Sequence, residues 1–408
     1  MKKICIVGGG ASGMMAAYTS AKNGNKVVLI EKNEKLGKKV YITGKGRCNL
    51  TCAVDNAEFL NSVVKNPKFL FSAINTFSTK DTINFFESNG LKLKEERGKR
   101  IFPFSDKASD VNKTFEYLLK KLNVEIMLNT CVETILVQEN SVVGVKTNKE
   151  EIFCDAVIIC TGGVSYPLTG STGDGYKFAK INGHTIVEPK SALVGIELKG
   201  SDFIDLQGLS LKNVKISAKL NNKTLFSDFG EMLFTHYGIS GPIVLSCSSV
   251  INNKNTNEII ISLDLKPALD NNTLDNRLIR EFKENNTKNI STMMHSIVPK
   301  SLIDLILKRA NVKQTKNCSE ITAFERQSII STLKKLEFKV SKLRPIEEAI
   351  ITSGGVSTKE INPKTMESKF IKGMFFAGEV IDVDAFTGGF NLQIAFSTGF
   401  LAGLNSEN

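Results

Sequence analysis

The chain opens with an apolar, β-branched run, Lys3-Ile4-Cys5-Ile6-Val7, that stops at three glycines. A continuous apolar run bounded by glycine predicts a strand buried on both faces, as in a parallel sheet. Ser12–Asn23 has helical spacing and ends at Gly24, a residue suited to the position just past a helix. A second apolar run, Val27–Ile30, ends at Glu31. Strand, glycine turn, helix and strand in this order predict one βαβ unit of about 30 residues.

Further on, residues 124–163 alternate short apolar runs with turns at Glu139-Asn140 and Asn148-Lys149. They finish in a very apolar strand, Ala156–Cys160, that runs into Thr161-Gly162-Gly163. From about Leu193 the pattern changes to alternation, in "VGIELKG", "NVKISAKL", "GEMLFTHYG" and "NEIIISLDL", which predicts antiparallel strands. A helical block follows over Asn271–Leu336, where apolar stripes in "SLIDLILKRA" and "ITAFERQSIISTLKKL" suit a local core. The last stretch, "FIKGMFFAGEVIDVDAFTGGFNLQIAFSTGFLAG", returns to glycine-rich strand, loop and helix. The pattern therefore predicts an α/β protein whose Rossmann-like dinucleotide-binding domain is built from both chain ends. Residues 1–192 form its first segment, 193–270 an inserted β domain, 271–336 a small helical domain, and 337–408 the return to the edge of the insert and then to the second segment of the dinucleotide-binding domain.

Composition narrows the class. The 408 residues are 41% hydrophobic and 23% charged, which fits a globular protein with a sizeable core. No apolar run reaches the roughly 18 residues needed to span a bilayer, and Ile4–Val7 is too short for a signal-peptide core. A soluble, cytoplasmic protein is expected. Eight scattered cysteines, without a CxxC pair or a Cys/His cluster, point to reduced thiols and no metal site. The net charge is +11, and the span Lys190–Arg344 holds 23 Lys and Arg against 15 Asp and Glu, a net of +8. That excess is either a solvated Lys- and Asn-rich surface or a face for a polyanion such as RNA.

The opening turn carries chemistry. Gly8 permits a tight turn, Gly10 lets the backbone approach a pyrophosphate, and Gly13 allows close helix–strand packing. With Ala11 and Ser12, they open a helix whose free N–H groups face phosphates. Glu31, followed by Lys32, can accept bonds from ribose hydroxyls. The motif alone leaves NAD and FAD open. Two further segments favour FAD. One is the strand-to-glycine turn at Thr161, Gly162 and Gly163. The other holds Gly378, Glu379 and Asp382, then Gly388, Gly389, Phe390, Asn391 and Leu392 at a helix start suited to the flavin pyrimidine. Val132 is added to the cofactor contacts. The loop Gly37–Thr51 gathers Lys39, Gly44, Lys45, Gly46, Arg47, Cys48 and Asn49. Cations there would stabilise a reduced flavin. Cys48 beside Arg47 reads equally as a thiol of lowered pKa or as a packed loop residue. Arg47, Cys48 and Asn49 are catalytic candidates, as is His236 in "LFTHYGISGP", whose alternative is a structural role. Asp174 is expected to cap a helix.

These segments, with "GSTGDGYKFA", "GEMLFTHYGISGP" and "ITSGGV", resemble the BaiN/RdsA-type family of NAD(P)/FAD-dependent oxidoreductases, also labelled aminoacetone-oxidase-family FAD-binding enzymes. The resemblance covers essentially the whole chain. It implies a two-segment FAD domain, a partly open β-barrel insert and a small helical domain. It further implies a reductase that draws hydride from NADH or NADPH. No second GxGxxG unit is apparent, so the nicotinamide would bind transiently. Three substrate classes follow from the resemblance: a ribosomal RNA uridine reduced to dihydrouridine, an enone-type small molecule, or a small amine oxidised by O₂. The basic middle favours RNA as partner. A flavin-binding redox or RNA-interaction module without turnover is the alternative from another class.

Overall fold

The structure is a computed structural model and describes residues 1–407. The chain divides into two compact units, Met1–Ala192 with Ile346–Asn408, and Leu193–Pro345.

The first unit is organised by a five-stranded sheet in the order Met374–Phe376, Ala156–Ile159, Lys3–Val7, Lys26–Ile30, Glu125–Met127. Every pairing in it is parallel. The apolar runs read from the sequence explain why: Ile4, Cys5, Ile6, Leu29, Val157 and Ile158 are fully buried, so both faces need cover. The helix Ala11–Lys22 crosses between the first two strands, and the helix Phe390–Asn405 packs on it. Glycine permits that approach, because a Cβ at Gly403 would lie 2.6 Å from the Ala16 carbonyl oxygen. The last strand of the sheet thus joins residues far apart in sequence, as a domain made from two segments requires. A meander of Val132–Gln138, Ser141–Thr147 and Glu151–Phe153 and the antiparallel pair Ile186–Ala192 with Ile351–Val356 complete the framework.

The second unit is a six-stranded barrel with helices. Its strands are Ile196–Leu198, Ser210–Leu220, Lys223–Thr235, Gly238–Ser240, Ile259–Asp264 and Leu336–Leu343. The barrel is closed, where a partly open one was expected. Ile196–Leu198 closes it by pairing with Gly238–Ser240 on one side and Leu336–Leu343 on the other. The helices Asn271–Glu284, Lys300–Arg309 and Ala323–Lys334 do not form a core of their own. Leu278, Ile306 and Leu333 belong to one apolar cluster with Ile216, Ile261 and Phe338 of the barrel. Asp270 caps the first of these helices, and Thr322 with Glu325 forms a capping box on the third. No helix among the described residues is long and apolar enough to cross a membrane.

Candidate cofactor site

The glycine turn is built by steric exclusion on one side and open space on the other. Gly8 has φ +104°, and a Cβ there would lie 2.6 Å from the Cys160 carbonyl oxygen. A Cβ at Gly13 would overlap the Gly8 carbonyl oxygen. At Gly10 a Cβ would meet nothing within 4 Å, so this face of the turn is open. The helix Ala11–Lys22 has no side-chain cap at Gly10, and its first-turn N–H groups lack intrahelical partners. Glu31 is buried where the second strand ends. Its Oε2 accepts from Gly9 N at 2.7 Å, and its Oε1 accepts from Asn33 N at 2.8 Å. Lys32 turns away to Asp174, at 2.6 Å. Asp174 itself is the first residue of its helix, and Gly173 holds the cap position. Val132 is buried at the start of the meander.

A second cluster centres on Glu379. Lys39 Nζ donates to Oε2 at 2.7 Å, while Ser165 Oγ and Thr352 N donate to Oε1 at 2.9 and 2.8 Å. Lys39 also reaches Ser165 Oγ at 2.7 Å, and Thr352 Oγ1 accepts from Val164 N and Ser165 N at 2.9 and 3.1 Å. Gly163 is required here because a Cβ would overlap Thr352 Oγ1. Four segments of the chain are tied to one carboxylate. Ser165 and Thr352 escaped the sequence reading; their only signal was adjacency to "TGG" and "SGG". Lys39→Met is expected to weaken flavin retention about tenfold or more, because Glu379 loses its cation in a partly buried setting. Equilibrium dialysis of FAD against the variant measures this, and unchanged retention would exclude Lys39 from the site's support.

The third cluster lies in the return segment. Asp382 accepts from Asn66 Nδ2 at 3.1 Å and faces Lys65 Nζ at 3.5 Å. Asp384 is fully buried; its Oδ1 accepts from Ser353 Oγ at 2.9 Å, and its Oδ2 has no partner among the described residues. Burial pushes this carboxyl up to about 6, against the smaller opposing effect of the Ser353 bond. Gly389 has φ +98°, and a Cβ there would lie 2.5 Å from the Thr51 carbonyl oxygen, so the Gly388-Gly389 loop rests on the end of the Gly37–Thr51 loop. The helix Phe390–Asn405 also starts without a side-chain cap. Phe390 packs against Phe59, ring centres 5.5 Å apart, and Leu392 lies half-buried on the same core. The side chain of Asn391 is occupied: Oδ1 accepts from Ala385 N at 3.0 Å, and Nδ2 donates to Ala385 O at 2.9 Å. It clamps the loop in front of the helix. Gln393, not singled out from sequence, is buried and accepts from Thr51 Oγ1 at 2.6 Å.

The Gly37–Thr51 loop differs from expectation in its chemistry. Gly44, Lys45, Gly46 and Cys48 all have left-handed backbone, with φ between +57° and +86°. Arg47 is committed: its guanidinium binds Glu96 and Asp106 and lies 4.3 Å from the centre of the Phe102 ring. Both carboxylates hold its pKa above the ordinary arginine range. Cys48 is fully buried, and burial pushes its thiol up to about 12. The lowered pKa considered from sequence is therefore overturned, because desolvation dominates and the neighbouring cation is already paired. Asn49 keeps a buried Oδ1 without a partner among the described residues. In the native protein at about pH 8, iodoacetamide is expected to modify the exposed Cys131 and spare Cys48. Peptide mass mapping checks this; rapid modification of Cys48 would restore it as a nucleophile.

His236 belongs to the other unit. It sits with Tyr237 in the two-residue turn between Lys223–Thr235 and Gly238–Ser240, exposed, its ring edge-on to Tyr237 at 5.0 Å. Arg344 covers the Tyr237 ring at 4.7 Å.

An open glycine face, two helix starts without side-chain caps, and buried oxygens on Asn49, Thr161 and Asp384 that have no partner among the described residues are what a dinucleotide would use. The residues present fit the group. Fold and site define the class: an FAD-dependent oxidoreductase built on a two-segment Rossmann-type domain. The chain belongs to the HI0933-like protein Rossmann domain family, which it matches over residues 2–405. It is 32% identical to the 3-dehydro-bile acid delta(4,6)-reductase of Clostridium scindens, over 99% of this chain and 98% of that one. It is 30% identical to the ribosomal RNA dihydrouridine synthase of Haemophilus influenzae, over 98% and 97% of the two chains. The Escherichia coli protein of the same name is 29% identical over 97% and 95%. Among solved structures, the 3-ketosteroid-delta4-(5alpha)-dehydrogenase of Rhodococcus jostii RHA1 shares the fold, with a TM-score of 0.56 at 13% identity, covering 100% of this chain and 97% of that one.

Proposed function

We propose that this protein is an NAD(P)H-driven reductase of an activated C=C bond, and that its substrate is a uridine in ribosomal RNA. The observation that carries the substrate is charge: the span Lys190–Arg344 has a net charge of +8, which a small neutral substrate would not require. Two relatives matched nearly end to end are named ribosomal RNA dihydrouridine synthases, which supports the same reading. The bile acid reductase, at 32% identity, favours a second reading, an enone-type small molecule.

Bound FAD would supply hydride exchange between a nicotinamide donor and the acceptor bond. The chain's own residues would hold it in three places. Gly8, Gly10, Ala11, Ser12 and Gly13 would face the pyrophosphate and Glu31 the ribose. Thr161, Gly162, Gly163, Glu379 and Asp382 would line the middle. Gly44, Gly46, Asn49 and Gly388–Leu392 would surround the ring end, with the positive end of the helix Phe390–Asn405 favouring negative charge there. Arg47 would order the loop through Glu96 and Asp106, and Cys48 would remain a neutral thiol. The nicotinamide would bind transiently. The test is mass mapping of ribosomal RNA nucleosides from cells with and without this chain, in the cytoplasm where the reading places it. Loss of one dihydrouridine is expected; an unchanged dihydrouridine complement would sink the RNA reading and leave the enone.

A further inference from the structure

Five lysines of the second unit are held by carboxylates: Lys308 by Asp202, Lys316 by Glu325, Lys334 by Asp264, Lys335 by Glu337 and Lys342 by Glu197. Lys212, Lys215, Lys219, Lys223 and Lys339 behave differently. None has a carboxylate partner among the described residues, and all five lie on the barrel strands or their hairpin.

Strand register places three of the five, Lys215, Lys219 and Lys339, on the barrel exterior. Val214, Ile216 and Ala218 point into the core, so Lys215, Ser217 and Lys219 point out. Lys219 stands opposite Ile260, which stands opposite Lys339, so one outward row runs across three strands. Lys223, opposite Leu220 at the hairpin tip, is exposed but takes the other face of the strand. Lys212 falls at the irregularity between Leu211 and Val214 and is exposed. Lys215 is directly opposite Phe229, so both side chains share the outer face, and Phe229 is 52% exposed. An aromatic of that size left in water beside a lysine costs apolar exposure unless something covers it. Ser217 and Ser227 fill the space between, joined by a hydroxyl bond of 3.1 Å. Beyond Leu233 the return strand gains a second neighbour; along Lys223–Gly230 it pairs only with Ser210–Leu220.

We propose that this outer face of the barrel is a docking surface for single-stranded RNA, with Lys215, Lys219 and Lys339 on phosphates and Phe229 stacked on a base. Lys215 and Lys219 are four residues apart on one strand, about 13 Å, so they meet different phosphates. Unpaired ammonium groups bind a polyanion without first losing an internal partner, and a neutral aromatic among them accepts any base. The proposal rests on the RNA reading of the function above.

The experiment uses the full-length, FAD-loaded protein and a fluorescent uridine-containing RNA 20-mer, with anisotropy read across a salt series. For the wild type, affinity should fall steeply with salt. K215Q/K219Q should flatten the log–log slope by about 1.4 and weaken binding about tenfold or more at moderate salt. Phe229→Ala should weaken binding roughly 5- to 100-fold with little change of slope. The control K308Q/K335Q removes the same charge from paired, exposed lysines and should leave the slope near wild type. Flavin content and thermal unfolding verify that each variant is folded. Equal losses in the control and the test pair, or wild-type binding by K215Q/K219Q, would overturn this face while the RNA reading stands. Absence of RNA binding by the wild type would overturn both.

Discussion

Gly13→Ala is expected to abolish flavin binding and to destabilise the first unit by about 3 kcal/mol or more, whereas Gly10→Ala should abolish binding and leave the fold intact. The contrast follows from where a methyl group would go. At Gly13 it would overlap the Gly8 carbonyl oxygen and press on Cys160, so the turn or the helix must move. Overpacking of a close-packed backbone costs about 1–3 kcal/mol or more. At Gly10 the methyl meets no atom within 4 Å, and the backbone, φ −77° and ψ −171°, suits alanine. Its only cost would be to whatever approaches the open face, which in this reading is the pyrophosphate. Urea unfolding of the apo-protein and FAD titration of both variants separate the two effects. Gly10→Ala that still binds FAD with wild-type affinity would move the pyrophosphate elsewhere.

Asp384→Asn is expected to stabilise the apo-protein at neutral pH by about 2 kcal/mol. Desolvation raises the Asp384 carboxyl to about 6, and the groups around it are Ser353, Lys65, Asp382 and Glu379. An unfolded Asp titrates near 3.9. Between those values the folded protein holds a proton that the unfolded chain has released. Stability from this group is therefore greatest below about pH 4 and is lost as pH rises through about 6, a loss approaching about 3 kcal/mol. Ordinary carboxylates slope the other way, so the informative quantity is the difference between variant and wild type. That difference should grow from pH 4 to 6 and then stay constant. A variant less stable than wild type at pH 7, with no pH-dependent difference, would show a carboxylate that is satisfied while charged.

The parallel core and the glycine turns were legible because each announces itself locally. "KICIV" before "GGG" and "AVIIC" before "TGG" combine buried strands with residues that only a tight turn requires. Lys39 and Glu379 were each singled out, but their junction was not legible, because they are 340 residues apart and Ser165 and Thr352, which complete the cluster, are unremarkable alone. Of the two readings open for Cys48, the activated thiol failed and the packed one held, for a related reason. A cation next to a thiol in sequence suggests activation, but Glu96 and Asp106, 49 and 59 residues on, take the cation, and the fold buries the thiol. The strand Ile196–Leu198 was visible in the alternation of "VGIELKG", but the two pairings by which it closes the barrel, with residues 238–240 and 336–343, lie far away in sequence.

The single carboxylate that ties four segments also sets a timetable for assembly. Residues 1–192 contain the glycine turn, Glu31 and Lys39, yet the sheet lacks an outer strand and Lys39 lacks its carboxylate until residues 374–379 are made. Loop closure over such separations is slow compared with local contacts. The continuous insert, Leu193–Pro345, has its own apolar core and can condense while the first segment waits. A nascent chain that has not reached Glu379 therefore has half a cradle and nothing to close it. Cofactor capture is expected to be a late event, and truncation before the return segment to leave a colourless protein with an exposed sheet edge.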